Sequence, residues 1–344
     1  MRILFGVCGE GLGHSSRAKA IISHLEKKGH KILVITYNQA YQTLKNFNPI
    51  KTKGISILFK KEKLSLSKTI IKNIKNFLID VKSWKKIKSR IDKFSPEICI
   101  SDMEHIVPII SYWYKIPLIS IDNQHFLTNT KLTIPKKYKS SYHLAKLTIK
   151  ACVRKANAFI VLSYIKQKPI IKNTYIVSPI IRKEIKKLKP KNKDYLLVYL
   201  TKENPALINH LKNIKENFII YSSLITEEKQ ENNLEFKKQS QNFINDLANC
   251  KAIIASAGFS LISEAIYLKK PYFAIPLKGQ FEQTLNAISL KKSSLGTYSE
   301  NPTKNQILDF LKNIQNYEKK LKHYSLNPNE ALNVLDKILK NCKL

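Results

Sequence analysis

Residues 3–36 read Ile3-Leu-Phe-Gly-Val-Cys-Gly-Glu-Gly-Leu-Gly-His14-Ser-Ser-Arg17-Ala-Lys-Ala-Ile-Ile-Ser-His-Leu-Glu-Lys-Lys-Gly29-His-Lys-Ile-Leu-Val-Ile-Thr36. Ile3 to Val7 is an apolar run of strand length. Ala18, Ile21, Ile22 and Leu25 then fall at i, i+3, i+4 and i+7, the spacing of one helix face. Ser15 is placed to cap the start of that helix and Gly29 to end it. Ile32 to Thr36 is a second apolar run. Strand, helix and strand in so short a stretch make a βαβ unit, two parallel strands joined by a right-handed crossover.

The alternation continues outward. Glu97 to Ser101, Pro117 to Ile121 and Ala158 to Ser163 read as further strands. Lys68 to Lys93 reads as a long basic helix with Ile71, Ile74, Leu78, Val81 and Trp84 on one stripe. Apolar periodicity lapses from Ser178 through the lysine-rich run to Lys193, which marks a boundary. Beyond it the pattern restarts with strand Tyr195 to Leu200, helix Ala206 to Lys215 and strand Phe218 to Ser222. Strand Ala252 to Ala255, helix Ser260 to Leu268, strand Tyr272 to Ile275 and helix Gln283 to Lys291 follow. The expectation is an α/β protein of two doubly wound, Rossmann-like domains facing a cleft, residues 1–178 and 179–328. A last helical stretch, 329–344, is expected to pack back on the first domain.

Composition removes several function classes. The chain has 344 residues, 43% of them hydrophobic, with only 9 glycines and 13 prolines, so disordered and collagen-like readings fail. The most apolar run, Ile106 to Ile121, is broken by Pro108, Lys115 and Pro117 before it can span a bilayer. No secretion signal is read at the N-terminus. Cys8, Cys99, Cys152, Cys250 and Cys342 lie too far apart for a zinc pattern, and their odd number predicts reduced thiols in a cytoplasmic compartment. Only five of the 60 basic residues are arginine, which argues against sequence-specific nucleic-acid readout through arginine forks. Charge is uneven, +25 over residues 1–182 and +10 over the remainder. That asymmetry fits an anionic membrane surface or a lysine-rich solvated face.

Gly9-x-Gly11-x-Gly13 sits between a strand and a helix, where backbone N–H groups can approach an anion or a sugar. Its spacing is not GxGxxG, and strand two ends in Thr36-Tyr37-Asn38 without a carboxylate for a ribose, which excludes a dinucleotide dehydrogenase. No P-loop motif occurs. A second constellation runs Ala255-Ser-Ala-Gly258-Phe-Ser-Leu-Ile-Ser-Glu264, then Lys270-Pro271, Ile275-Pro276 and Gln280-Phe-Glu-Gln-Thr-Leu-Asn286. Gly258 to Ser260 lies at a strand-to-helix junction, where N–H groups and the helix dipole can hold a diphosphate. Glu264 shares the helix face of Ser260, and a carboxylate there can accept both hydroxyls of a ribose. Asp102 follows a strand and should open toward the same cleft. Gln124 and His125 end the next strand candidate.

Taken together these motifs resemble the GT-B glycosyltransferases. The likeness is to the N-acetylglucosaminyltransferases that make the lipid-linked peptidoglycan precursor, and to uncharacterised glycosyltransferase family proteins sharing a GxGxGHxxR loop. It is strongest at Gly9 to Arg17 and Phe243 to Ala287. The resemblance implies a UDP-linked sugar donor and transfer to an acceptor hydroxyl, lipid-linked or part of a cell-envelope glycan, by an enzyme of hexosyl or N-acetylhexosaminyl type. It places the diphosphate on Gly258, Phe259 and Ser260, the ribose on Glu264, uracil on Ile244, and the donor sugar on Glu282 and Gln283. His14 and Asp102 would be catalytic, with Gly11, Gly13, Arg17, Gln124 and His125 on the acceptor side. The absence of a D-x-D motif implies no metal, and no cofactor is implied. Ala257 replaces the first glycine of the family's usual pair, and Leu268-Lys269-Lys270-Pro271 lacks its usual glycine. UDP-sugar hydrolases and epimerases share such a site, and a basic chain on this scaffold could also dock a membrane or nucleic acid without catalysis. The expected location is cytoplasmic, peripheral on the inner face of the cell membrane.

Overall fold

A computed structural model describes residues 1–54, 59–60, 63–64, 84–85, 87–222, 224–238, 240 and 242–341. The chain divides into two compact units, Met1–Ile180 with Pro328–Leu344, and Ile181–Asn327. Most of the expected helix Lys68 to Lys93, and Cys342, lie outside the described residues; residues 84–85 and 87–94 are helical.

The first unit is built on a parallel sheet in the order Ile50–Lys51, Lys31–Thr36, Arg2–Val7, Ile98–Asp102, Leu118–Asp122, Ala158–Leu162, Thr174–Val177. Its central strands are buried along their whole length, as a sheet covered on both faces requires. Two strands run one residue further than the sequence reading. Val7 pairs with Asp102, and the Cys8 amide donates to the Asp102 carbonyl at 2.9 Å, so Asp102 is a strand end and not a loop residue. Asp122 likewise closes its strand, opposite Val161. The apolar stretch Ile106 to Ile121 is a helix, Ile106–Tyr114, and a strand, parted where Lys115 turns back at φ 53°.

The helix after the glycine loop begins at Leu12, earlier than the apolar face suggests, and Gly11 at φ 79° is its N-cap. An L side chain is strained in that conformation, so a glycine there turns the chain cheaply. Ser15 is therefore not the cap. It lies inside the first turn and its hydroxyl donates to the Leu12 carbonyl at 3.1 Å. The consequence is that Gly13 and His14 ride on a helix end. The helix Glu330–Asn341 packs on strands Ala158–Leu162 and Thr174–Val177 of this unit. Asp336 pins it to the first helix through His24 at 2.9 Å and Lys28 at 2.8 Å.

The second unit carries a sheet in the order Lys229–Glu231, Leu234–Lys237, Phe218–Ser222, Leu196–Leu200, Ala252–Ser256, Tyr272–Ile275, Gly296–Tyr298. All neighbours are parallel except the first pair, a hairpin turned at Asn232 with φ 51°. One face buries Leu196, Val198, Phe218, Ile220 and Ile254 against Leu207, Leu211, Ile307 and Phe310. The other face carries the helix Asn242–Asn249, whose Phe243 ring stacks on Tyr199 and Tyr221 at 5.4 and 5.2 Å.

Candidate functional site

In the first unit, the carboxyl ends of adjacent strands bring Asp102 and the Asp122–His125 turn beside the first helix. The Asp102 side chain is fully buried and surrounded by donors. Arg17 Nε donates to Oδ2 at 2.6 Å and Arg17 Nη2 to Oδ1 at 2.5 Å, while Arg17 Nη1 donates to Asn123 Oδ1 at 2.7 Å. His14 Nδ1 lies 2.8 Å from Asp102 Oδ1. Arg17 Nη2 also lies 2.8 Å from Nδ1, and a guanidinium can only donate. An ionised carboxylate can accept from both groups at once, so a proton on Nδ1 can be given to Asp102 with both donors converging on Oδ1. Burial alone would raise the Asp102 pKa, but the Arg17 guanidinium and His14 beside it hold the carboxyl below its usual range.

The tautomer that serves a base is the one whose Nδ1 proton is given to Asp102. With the proton on Nδ1, the lone pair is on Nε2, and the side chain is 14% exposed. Nε2 receives a long hydrogen bond, 3.3 Å, from the Gln124 amide. An oriented imidazole with an accessible Nε2 can take a proton from a hydroxyl, which is the arrangement of a general base and its orienting carboxylate.

His125 is turned the other way. It is buried, Nδ1 donates to Asp122 Oδ2 at 2.7 Å, and Nε2 donates to the Val153 carbonyl at 3.2 Å. Burial pulls its pKa down, but the Asp122 carboxylate prevails and raises it. Asp122, against its own burial, is held down to about 2 by that imidazolium. With both ring nitrogens donating to protein, His125 braces the turn that presents Gln124.

The second unit presents the other constellation. Helix Phe259–Tyr267 starts after Gly258, whose φ of −70° and ψ of 132° are ordinary extended values; no side chain caps this end. A Cβ built on Gly258 meets nothing within 4 Å, so the helix N-terminus opens onto free space. Asn286 donates to the Ala257 carbonyl at 3.0 Å and Tyr272 donates to the Ser256 carbonyl at 2.6 Å, which immobilise the junction from behind. Phe259 is buried and Ser260 half-buried. Gln283 is braced by Leu277 N at 3.1 Å and Gln280 at 2.8 Å, beside Glu282 in the first turn of helix Phe281–Lys292. Ile244 is half-buried on the helix Asn242–Asn249, next to the buried Phe243. Glu264 is buried too, and its carboxylate is taken up by Arg182, Nε to Oε1 at 2.5 Å and Nη2 to Oε2 at 2.7 Å.

Asn123 and Arg182 are the partners that sequence reasoning missed. Asn123 stands next to the quoted Gln124. Arg182 has no local signal, because it meets Glu264 only through the fold. Among the described residues no group of three or more His, Cys, Asp or Glu side chains could hold a metal ion.

Gly258 yields a prediction. Gly258→Ala should leave the thermal midpoint within about 2 °C, because backbone and space both accept a methyl group. If an anion sits on this helix end, the methyl should weaken UDP binding roughly tenfold by blocking backbone approach. Calorimetric titration checks it; unchanged UDP affinity would move the anion elsewhere.

The family model described as glycosyl transferase family 1 matches residues 1–315. An uncharacterised glycosyltransferase of Methanosarcina acetivorans is 22% identical over 338 residues, covering 88% of this chain and 87% of that protein. Among solved structures, the spinosyn rhamnosyltransferase SpnG complexed with thymidine diphosphate superposes with TM-score 0.63 at 11% identity, covering 98% of this chain and 100% of that one. Acinetobacter baumannii MurG superposes with TM-score 0.62 at 16% identity over 98% and 99% of the two chains. At these identities the likeness to solved structures establishes the GT-B fold.

Proposed function

This chain belongs to glycosyl transferase family 1, and from that premise we propose that it moves a hexosyl or N-acetylhexosaminyl group from a UDP-sugar to an acceptor hydroxyl, without a metal. The observation that carries the reading is the His14–Asp102 pair, 2.8 Å apart, with Asp102 charged and clamped by Arg17. His14 Nε2 takes the acceptor proton as the hydroxyl oxygen attacks the anomeric carbon. The imidazolium that forms is stabilised by Asp102. Gln124, with the Gly11–Gly13 turn, borders the acceptor side. On the donor side, the bond to the leaving diphosphate breaks, and the N–H groups of Gly258, Phe259 and Ser260 at an open helix end stabilise its charge. Glu264 takes the ribose, Ile244 lies by the base, and Glu282 and Gln283 face the sugar. The test is a thermal-shift screen with UDP, dTDP, GDP and their sugars. UDP should stabilise the chain by about 2.7 kcal/mol at a hundredfold excess over its Kd. Glu264→Ala should lose most of that shift; equal stabilisation of the variant would end the ribose assignment. A larger shift with dTDP would favour the donor class of the thymidine-diphosphate neighbour. Free sugar released without acceptor would mark a hydrolase.

A lipid-linked acceptor at a membrane face is supported by the surface of the first unit. The chain has two tryptophans, and Trp84 and Trp113 meet edge to face at 5.4 Å. Trp113 is 61% exposed and Tyr112 81%. No described helix is long and apolar enough to cross a membrane, but interfacial aromatics among lysines suit peripheral binding to anionic lipid. The helix Lys139–Cys152, with Leu147 exposed beside Lys146 and Lys150, is a second contact of the same kind. Full-length protein should sediment with vesicles containing anionic lipid and detach as salt rises. Trp113→Ala should weaken sedimentation several-fold, because one aromatic anchor contributes on the order of 1–2 kcal/mol. Indifference to that change, with lysine variants of both units equally weakened, would leave only nonspecific charge.

A further inference from the structure

In the second sheet Tyr221 stands in register with Lys237 on one side and Tyr199 on the other, so the three side chains share one face. Helix Asn242–Asn249 lies on that face. It follows the carboxyl end of strand Leu234–Lys237 and leads to the start of strand Ala252–Ser256, which puts its first turn at the carboxyl edge of the sheet. Phe243 seats its ring against Tyr199 and Tyr221. Three residues on, Asp246 Oδ2 accepts from the Tyr221 hydroxyl at 2.7 Å and from Lys237 Nζ at 3.1 Å. We infer that Asp246, tied to Tyr221 and Lys237, is a positioning residue: it fixes the helix turn that carries Ile244 and so sets the preference for the donor's nucleobase. The inference rests on the base reading of Ile244 proposed above and adds a residue and a selectivity to it.

Ile244 is half-buried and is the third residue of its helix, so its N–H has no carbonyl four residues back within the helix. A backbone N–H can only donate. Uracil offers a carbonyl oxygen at the ring position where cytosine carries an amino group, itself a donor. A donor held in one place therefore suits uracil and opposes cytosine. The choice is only as sharp as the placement, because a hydrogen bond weakens steeply as it goes out of line.

Asp246 supplies that placement. Phe243 and Asp246 lie three apart, on the helix face that meets the sheet, with Ile244 between them in the chain. Tyr221 is fully buried, so its hydroxyl has no water to turn to and the bond to Asp246 is costly to break. Asp246 is 19% and Lys237 23% exposed at the side chain, so the second bond is partly sheltered as well. Burial would lower the Lys237 pKa, but Asp246 and Glu235 raise it, so the ammonium stays charged. The diphosphate end of the site is held by other bonds, Tyr272 to the Ser256 carbonyl and Asn286 to the Ala257 carbonyl. Loosening Asp246 should therefore disturb the base and spare the diphosphate.

The test is calorimetric titration of the full chain with UDP, CDP and inorganic pyrophosphate, on the parent, Asp246→Ala, Asp246→Asn and Tyr221→Phe. The parent should prefer UDP over CDP by roughly tenfold to hundredfold, as expected when the wrong base sets a donor against a donor. Asp246→Ala should cut that preference to about threefold or less, while pyrophosphate binds within about twofold of the parent. Asp246→Asn keeps an acceptor oxygen and should fall between. Tyr221→Phe removes a single oxygen atom, should also fall between, and carries the test if Asp246→Ala does not fold. Equal weakening of UDP, CDP and pyrophosphate would make Asp246 a purely structural residue and overturns the inference. So does a preference that survives intact in both Asp246→Ala and Tyr221→Phe. The underlying base reading fails separately: the parent itself would then show no preference between UDP and CDP, and the inference would fall with it.

Discussion

His14→Ala should lower kcat by roughly 10²–10⁴-fold and leave the affinity for UDP nearly unchanged. The factor is that of a positioned general base. On the proposed assignment, with His14 on the acceptor hydroxyl and the nucleotide on residues of the other unit, the loss falls on kcat. Asp102→Asn should lose part of the same factor, since an amide can still orient the ring but cannot stabilise the imidazolium. The double variant should be little worse than His14→Ala alone, because two groups acting as one device are not additive. Steady-state kinetics with separated kcat and KM decide the matter. A rise confined to the donor's KM would put the glycine turn at the diphosphate and take the base away from His14. Strictly multiplicative losses would separate Asp102 from the chemistry.

How far the residues announced this arrangement depends on where the information lies. The βαβ opening was legible because its helix face and two apolar runs are local patterns, and the resemblance to GT-B enzymes rested on motifs at strand ends. His14 and Arg17 stand three apart, so one helix face carries both. That both meet one fully buried carboxylate was not legible. It depends on Asp102 closing its strand opposite Val7, a register set across the sheet. The same holds for Arg182, 82 residues before its partner. The sequence reading made His14 catalytic and put His125 on the acceptor side, both beside strand ends. Only the fold distinguishes the buried ring tied at both nitrogens to Asp122 and Val153 from the ring whose Nε2 meets only a long contact from Gln124. Strands such as Ile50–Lys51 and Gly296–Tyr298 are too short to carry a period, and packing alone makes them strands.

Arg17→Leu should be the most destabilising single change in the first unit, costing about 3–5 kcal/mol, because it leaves a buried carboxylate without its main counter-charge. Arg17 is 6% exposed and Asp102 is 0%, so water cannot replace the guanidinium. On the scale of this unit the loss is a fall in thermal midpoint on the order of 10 °C. The sign with pH separates charge from packing. In the parent, Asp102 sits below its ordinary 3.8, so its contribution is present above that pH and is lost as pH falls through the folded value. In Arg17→Leu the burial that opposes ionisation is no longer outweighed, and the carboxyl moves up. Its penalty is then largest at neutral pH and is relieved as the solution is acidified and the group takes a proton. The difference between parent and variant should therefore shrink on acidification, from the variant's raised pKa down through the parent's lowered one. Arg17→Leu with Asp102→Leu should recover part of the loss, since two apolar side chains of fitting size replace a pair whose desolvation is costly. Urea titrations of the three proteins at neutral and acidic pH measure all of this. A cost that does not change with pH, or a double variant no better than the single one, would make Arg17 a packing residue. The Asp102 charge on which His14 depends would then need another source.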